Sequence, residues 1–185
     1  MSEQPSPEQT SPEVDPVLAV AVREIETHAA EAGWDQPSRL YALVPTADLL
    51  QREPALAAAM GLDATEAAGS LTPVEQDTLP ADKTFEETLA AIMWPPEVYG
   101  CAAVVERLVL PPGADAEMPE DAAAAERYAA EHPDRQEVRI VAGVTRDGAT
   151  FCALRLKAHD DDFSVVESPD LVPALLELLQ STLDQ

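Results

Sequence analysis

The 185 residues predict an α+β fold: a largely antiparallel sheet of four to six strands with helices packed on it, in a single domain that closes with a hairpin and a terminal helix. Three observations carry this reading. Residues 137–157 hold two strand-like runs around Asp147-Gly148, a turn that pairs such runs with each other. Residues 98–110 form a long apolar run fenced by Pro95-Pro96 and by Pro111-Pro112-Gly113. Segments with helical spacing and recognisable caps lie before, between and after these runs.

Residues 1–14 are rich in Pro, Ser, Glu and Gln and read as a disordered tail, leaving 15–185 as the domain. Asp15-Pro16 reads as an N-cap followed by proline at the first helical position. Leu18, Val22, Ile25, Ala29 and Ala32 then repeat at three or four residues until Gly33 stops the helix, and Trp34 is expected to fold back on its last turn. Residues 39–44 read as a strand closed by Pro45, with Thr46 capping a short helix to Arg52 and a second piece running from Pro54 to Met60. Residues 71–79 read as an edge strand, where Pro73 is tolerated. Thr84 and Glu87 form a capping-box pair that opens a helix through Leu89, Ile92 and Met93.

The run 98–110 is apolar on both faces and reads as a central strand, with Glu106 and Arg107 near its middle. An alanine-rich helix follows over 119–131. After the hairpin come a His159-Asp160-Asp161-Asp162 turn, a short strand over 163–166 and a helix over 170–183. That helix is leucine-rich on more than one side, so it is either sandwiched in the core or presents a dimer face.

The hairpin register follows from its turn. With a two-residue loop, Ile140 would pair with Arg155 and both faces would mix apolar and basic side chains. With a three-residue loop, Arg146-Asp147-Gly148, Gly148 takes the left-handed bulge position and the faces separate. Val138, Ile140, Ala142 and Val144 then share an inward face with Thr150, Cys152, Leu154 and Leu156, and Arg139 lies opposite Arg155 on the outward face.

Hydrophobic residues make up 46% of the chain but aromatics only 4%, and 32 residues are alanine, so the core is expected to be Leu, Val and Ala. The 17 prolines exceed the roughly 5% of average proteins and fall between periodic segments. Thirty-five acidic against eleven basic residues give a formal charge of −24. Such a charge disfavours nucleic acid and anionic membranes, both of which are bound through Lys and Arg. The start of the chain lacks a basic, apolar leader, and no run of about 18 uncharged apolar residues occurs. Two cysteines, Cys101 and Cys152, imply no disulfide framework; a cytoplasmic protein with reduced, buried thiols is expected.

Chemistry-bearing motifs are sparse. His28 lies between Glu24 and Glu31 on a helix, and His159 precedes three aspartates, but neither has the spacing of a known metal site. No cofactor and no metal is expected. Both cysteines sit in strands, away from any base or helix N-terminus. Five of the eleven basic residues, Arg135, Arg139, Arg146, Arg155 and Lys157, cluster within 135–157. Like charges paired across strands repel, so a carboxylate should lie between Arg139 and Arg155, supplied by Glu106 or by the acidic helix over 119–131. The functional alternative is that Arg139 and Arg155, with Arg107 and bordered by Trp94, bind an acidic peptide or small anion.

Several strings, Gly33-Trp34-Asp35-Gln36-Pro37, Leu43-Val44-Pro45-Thr46-Ala47, Trp94-Pro95, Gly100-Cys101-Ala102, Cys152-Ala153-Leu154-Arg155 and Asp170-Leu171-Val172-Pro173, occur together. On these the chain resembles an uncharacterised family of small acidic cytosolic proteins from actinobacteria, over nearly everything after residue 14. The resemblance implies a bacterial cytosolic setting and no site residues. The leading expectation is a non-catalytic protein acting through protein–protein contacts, adaptor-like or chaperone-like, with an unknown protein partner or with itself as a homodimer. The alternative is the anion-binding or acidic-peptide-binding domain built on the hairpin arginines.

Overall fold

A computed structural model of the chain describes residues 13–65 and 67–185. The tail expected over 1–14 lies outside that range up to residue 12. Six strands, β1 (Arg39–Pro45), β2 (Leu71–Glu75), β3 (Gly100–Val109), β4 (Gln136–Thr145), β5 (Thr150–Leu156) and β6 (Val166–Ser168), form one sheet in the order β2-β1-β3-β4-β5-β6. Every neighbouring pair is antiparallel. The helices are α1 (Pro16–Ala32), α2 (Thr46–Arg52), α3 (Pro54–Ala59), α4 (Phe85–Ala90), α5 (Ala122–Glu131) and α6 (Pro173–Leu183). The fold is α+β, as expected, with β3 and β4 central.

The hairpin takes the three-residue loop. Thr145 N–H donates to the Ala149 carbonyl at 3.0 Å, Gly148 sits at φ 84°, and Val138, Ile140, Ala142 and Val144 pair with Leu156, Leu154, Cys152 and Thr150. One expectation drawn from this register is corrected. The arginine face does not point outward, because α1 lies across it. Leu18, Val22, Ile25 and Ala29 of α1 bury against Tyr41, Leu43, Ala102, Val104, Val141 and Phe151. Asp15 caps this helix through the amides of Val17 and Leu18, at 2.9 and 3.1 Å. Gly143 allows the close approach: a Cβ there would stand 2.8 Å from Val22 Cγ2 and 3.1 Å from Leu18 Cδ1.

The opposite face, with Cys101, Ala103, Val105, Val138, Ile140, Ala142, Val144 and Cys152, is covered by α6 through Leu176, Leu179 and Leu183 and by Leu89 of α4. The α6 helix thus packs on the sheet along one side, leaving Leu178 exposed. Both free edges carry proline. Thr46 N–H donates to Ser70 O and Gln76 N–H to Leu40 O, so the even residues of β2 face β1 and the missing N–H of Pro73 falls on the open side. At the other edge β6 has three residues and runs into Pro169. Such edges resist strand addition by another chain.

Other local expectations shift. Thr46 is the first residue of α2 rather than its cap, and its hydroxyl bonds Thr72 and Ser70 instead. The helix expected over 119–131 begins at Ala122, with Asp121 as its cap. The strand expected over 163–166 begins at Val166, and Phe163 lies in a 3-10 turn, Asp162–Ser164.

Candidate functional site

The four residues singled out from sequence do not converge. Arg139 and Arg155 lie on the α1 face. Trp94 belongs to the opposite core, where its indole N–H donates to Thr182 Oγ1 of α6 at 2.9 Å. Arg107 is exposed and paired with Glu86 at 3.7 Å. Strand alternation puts it on the face opposite its neighbour Glu106.

Register alone aligns Arg155, Arg139 and Glu106 in one row across β5, β4 and β3. Both arginines are almost fully buried, at 2% and 1% exposure, so each charge needs a partner. Glu106 meets the Arg139 guanidinium at 3.7 Å and also accepts the amides of Asp35 and Gln36, at 3.0 and 3.4 Å. Glu106 is one of the two carboxylate sources expected from sequence, but it lies beyond Arg139 rather than between the two arginines. Arg139 also donates to the Gly33 carbonyl and stacks on Trp34 with its guanidinium carbon 4.4 Å from the ring centroid. Trp34 therefore reaches over the sheet rather than back onto α1. Its indole N–H donates to Asp160 at 3.0 Å.

The second carboxylate comes from α1, not from the helix over 119–131. Buried Glu26 takes two hydrogen bonds from Arg155, at 2.6 and 3.1 Å. The same guanidinium holds Asp160 at 3.1 Å and Asp162 at 2.7 Å. Three carboxylates on one guanidinium raise the Arg155 pKa well above its ordinary value, with the Glu26 hydrogen bonds the largest cause. Asp160 is held below the usual carboxylate range, first by the Trp34 N–H and then by Arg155. Four carboxylates, Glu26, Glu106, Asp160 and Asp162, thus surround two guanidinium groups. The node carries no surplus positive charge for an anion.

What the node does is hold the segment after β5. Asp160 and Asp162 are tied down, Ser164 Oγ–H donates to Asp161 at 2.8 Å, and Ser164 N–H donates to the Asp161 carbonyl at 3.2 Å. Between these anchors the Phe163 side chain stands wholly in solvent, at 101% exposure, with Val166 half-exposed beside it. Leaving a phenylalanine in water forgoes roughly 1.5–3 kcal/mol of burial. Sequence reasoning missed Phe163 by placing it in a strand; the three aspartates directly before the aromatic residue were the available signal. It placed Arg146 in the loop and in the basic cluster but missed its role. That guanidinium donates to the carbonyls of Val98 and Leu183, at 2.8 and 2.6 Å, complementing the C-terminal end of α6.

Catalytic candidates fare poorly on geometry. Cys101 is buried against Leu179 O and Thr182, and burial pushes its thiol up to about 11; the Cys152 thiol is raised by burial too. Such thiols are poor nucleophiles. Among the described residues no group of three or more His, Cys, Asp or Glu side chains is placed to hold a metal ion, and no helix is long and apolar enough to cross a membrane. Comparison with known proteins finds no match among curated proteins or solved structures. A family model does match, that of the PPA1309-like proteins, over residues 18–184. The chain, matched across nearly its whole length, belongs to the PPA1309-like protein family.

Proposed function

We propose that this protein acts without catalysis, by binding a protein partner that receives Phe163 in an apolar pocket. The observation that carries the reading is a fully exposed aromatic side chain on a turn held just before it by the ion pairs of Asp160 and Asp162 with Arg155 and just after it by the hydrogen bond of Ser164 to Asp161. Buried aromatic anchors contribute much of the affinity of protein interfaces, and an anchor already held in place loses little entropy on binding. Asp160, Asp161 and Asp162 beside the ring favour a partner with basic residues around the pocket. The same charges, on a chain at −24, oppose seating a second copy on this face. A homodimer is therefore the weaker version of the contact reading. The anion-binding alternative meets a node whose two guanidinium groups are outnumbered by carboxylates, with Arg139 Nη1 its one buried donor lacking a hydrogen-bond partner.

The test is capture from native cytosol at low salt with the wild-type chain, Phe163→Ala and Met93→Ala, the last removing another exposed apolar residue. A protein retained by wild type and M93A but lost with F163A is the expected result. Titration of that protein against purified F163A should then show affinity lowered about tenfold to a hundredfold, the range of an interface anchor. Equal capture by wild type and F163A refutes the reading. So does a chain that self-associates through Phe163 in light scattering.

A further inference from the structure

The central strand β3 outruns one of its neighbours. It pairs with β4 from Gly100 to Val109 but with β1 only from Gly100 to Val104, because β1 begins at Arg39. Past Val104 the flank on the β1 side carries no strand. Arg146 N–H donates to the Tyr99 carbonyl at 2.9 Å, so the odd residues of β3 bond to β4 and the even ones face the β1 side. On the unpaired stretch these are Glu106 and Leu108. The Glu106 carbonyl accepts from Arg107 Nη1 at 3.2 Å, whereas no hydrogen bond to the Leu108 N–H or carbonyl occurs among the described residues.

The outer edges of the sheet are guarded by Pro73 and by the shortness of β6; this inner flank is not. Prolines come only at 111 and 112, after the end of β3, and Leu108 and Val109 are 41% and 44% exposed. A strand with open backbone groups and exposed apolar side chains is a template for another strand. Beside it lies a hollow of about 280 Å³ lined by Trp34, Asp35, Glu106, Arg107, Leu108 and Glu137. Register sets Leu108 next to Glu137 on the face that carries Arg139. A strand laid along β3 turns every second side chain toward that face, and one of them enters the hollow between Trp34 and Leu108.

A second copy of the chain fits this flank poorly. Pairing β3 with itself about Leu108 joins only a few residues a side, far below the roughly 800 Å² per partner of a stable interface, and brings together two chains of charge −24. Glu106 and Glu137 already have cations in Arg139 and Lys157, so the hollow itself asks for no counter-charge. A preference for basic residues comes instead from the field of the whole chain, which attracts a positive segment and repels an acidic one.

We infer that the flank of β3 at Leu108 is a strand-addition site, where an extended, net-basic segment of a partner protein pairs its backbone with Leu108 and places an apolar side chain between Trp34 and Leu108. This site does not use Phe163 and stands or falls apart from the contact reading above.

The experiment is selection of a phage-displayed library of random dodecapeptides against the full chain, followed by fluorescence titration of the enriched sequences as synthetic peptides. Net-basic peptides with alternating apolar residues are expected. Leu108→Pro removes the outward N–H and keeps the bonds of Arg107 and Val109 to β4, so it should weaken these peptides about tenfold or more, as loss of a hydrogen bond and of strand alignment implies. Should L108P fail to fold, methylation of the peptide's own amides decides the matter: methyl groups on alternate residues should abolish binding in one phase and spare it in the other, since only one edge of the added strand faces β3. Phe163→Ala should bind the peptides as wild type does. The proposal is overturned if no peptide is enriched, if the enriched peptides are acidic, if they bind L108P as tightly as wild type, or if both methylation phases are tolerated. Loss of peptide binding in F163A overturns it as well, since that moves the site to the turn after β5.

Discussion

The two faces of the sheet are covered by helices of similar construction yet stabilised by different physics. On the α6 side, Leu176, Leu179 and Leu183 meet Val, Ile, Ala and Cys side chains, and the buried contacts are almost wholly apolar. On the α1 side an equally apolar stripe is interrupted by Glu26, and opposite it two arginines occupy positions where the other face has Ile140 and Leu154. Buried ion pairs seldom stabilise more than well-packed apolar groups of the same volume. Charge at this place is therefore explained better by what it holds. The α1 face fixes the turn after β5 through buried charge; the α6 face fixes the segment around Trp94 through single hydrogen bonds to Thr182 and, by way of Arg146, to Leu183.

That contrast predicts unequal responses to truncation. Glu26→Ala removes the only deeply buried carboxylate on Arg155 and should cost about 3–5 kcal/mol, because Asp160 and Asp162, at 45% and 86% exposure, screen poorly. Leu179→Ala on the other face should cost about 2–5 kcal/mol through a cavity alone. Magnitude hardly separates the two; a double replacement does. Glu26→Leu with Arg155→Met should recover most of the loss and return stability to within about 1–2 kcal/mol of wild type. No second substitution restores L179A so simply. Denaturant unfolding of the three variants beside wild type measures this. An E26L/R155M chain as unstable as E26A would mean that the ion pair is needed for the fold itself.

A smaller effect tests the packing that makes burial possible. Gly143→Ala sets a methyl against Val22 and Leu18, so α1 must shift or the side chains rearrange. The expected loss is about 1–3 kcal/mol. The shift should also loosen the node below: amide exchange should rise in residues 157–166 and stay unchanged in α6. Loosening confined to α6 would show that the two faces are mechanically coupled through the sheet rather than separate.

These elements also mark where the sequence is legible. The hairpin register could be read because Gly148 alone suits the left-handed position and because only one register separates aliphatic from basic side chains. Helix α1 could be read from Asp15, Pro16 and Gly33. The burial of Arg139 and Arg155 could not, since a period-two pattern places charge toward water unless a long-range partner covers it. The clue was Glu26. It lies four residues after Val22 and three before Ala29, inside the apolar stripe, and a carboxylate there needs a buried cation. Phe163 stayed hidden for the converse reason: apolar residues beside a turn read as strand, whereas here the turn is pinned to Arg155 through Asp160 and Asp162.

The smallest expected effect concerns Asp160, where the node meets water. Its carboxyl is depressed chiefly by the Trp34 indole N–H and further by Arg155. A carboxylate depressed in the folded state adds stability that is complete above its unfolded value, about 3.9, and is lost as pH falls through the lower native value. The contact between Asp160 and Trp34 should therefore persist below the pH at which ordinary aspartates protonate. Trp34→Phe keeps a ring for Arg139 to stack on but removes the N–H. In that variant the Asp160 midpoint, followed by the carboxyl carbon shift, should rise toward the ordinary range while Arg155 keeps it from arriving fully. The loss of order around Phe163 on acidification should move to higher pH with it. A midpoint unchanged in W34F would assign the depression to Arg155 alone, leaving Trp34 as a stacking surface for Arg139 and placing the whole anchoring of the loop on one guanidinium.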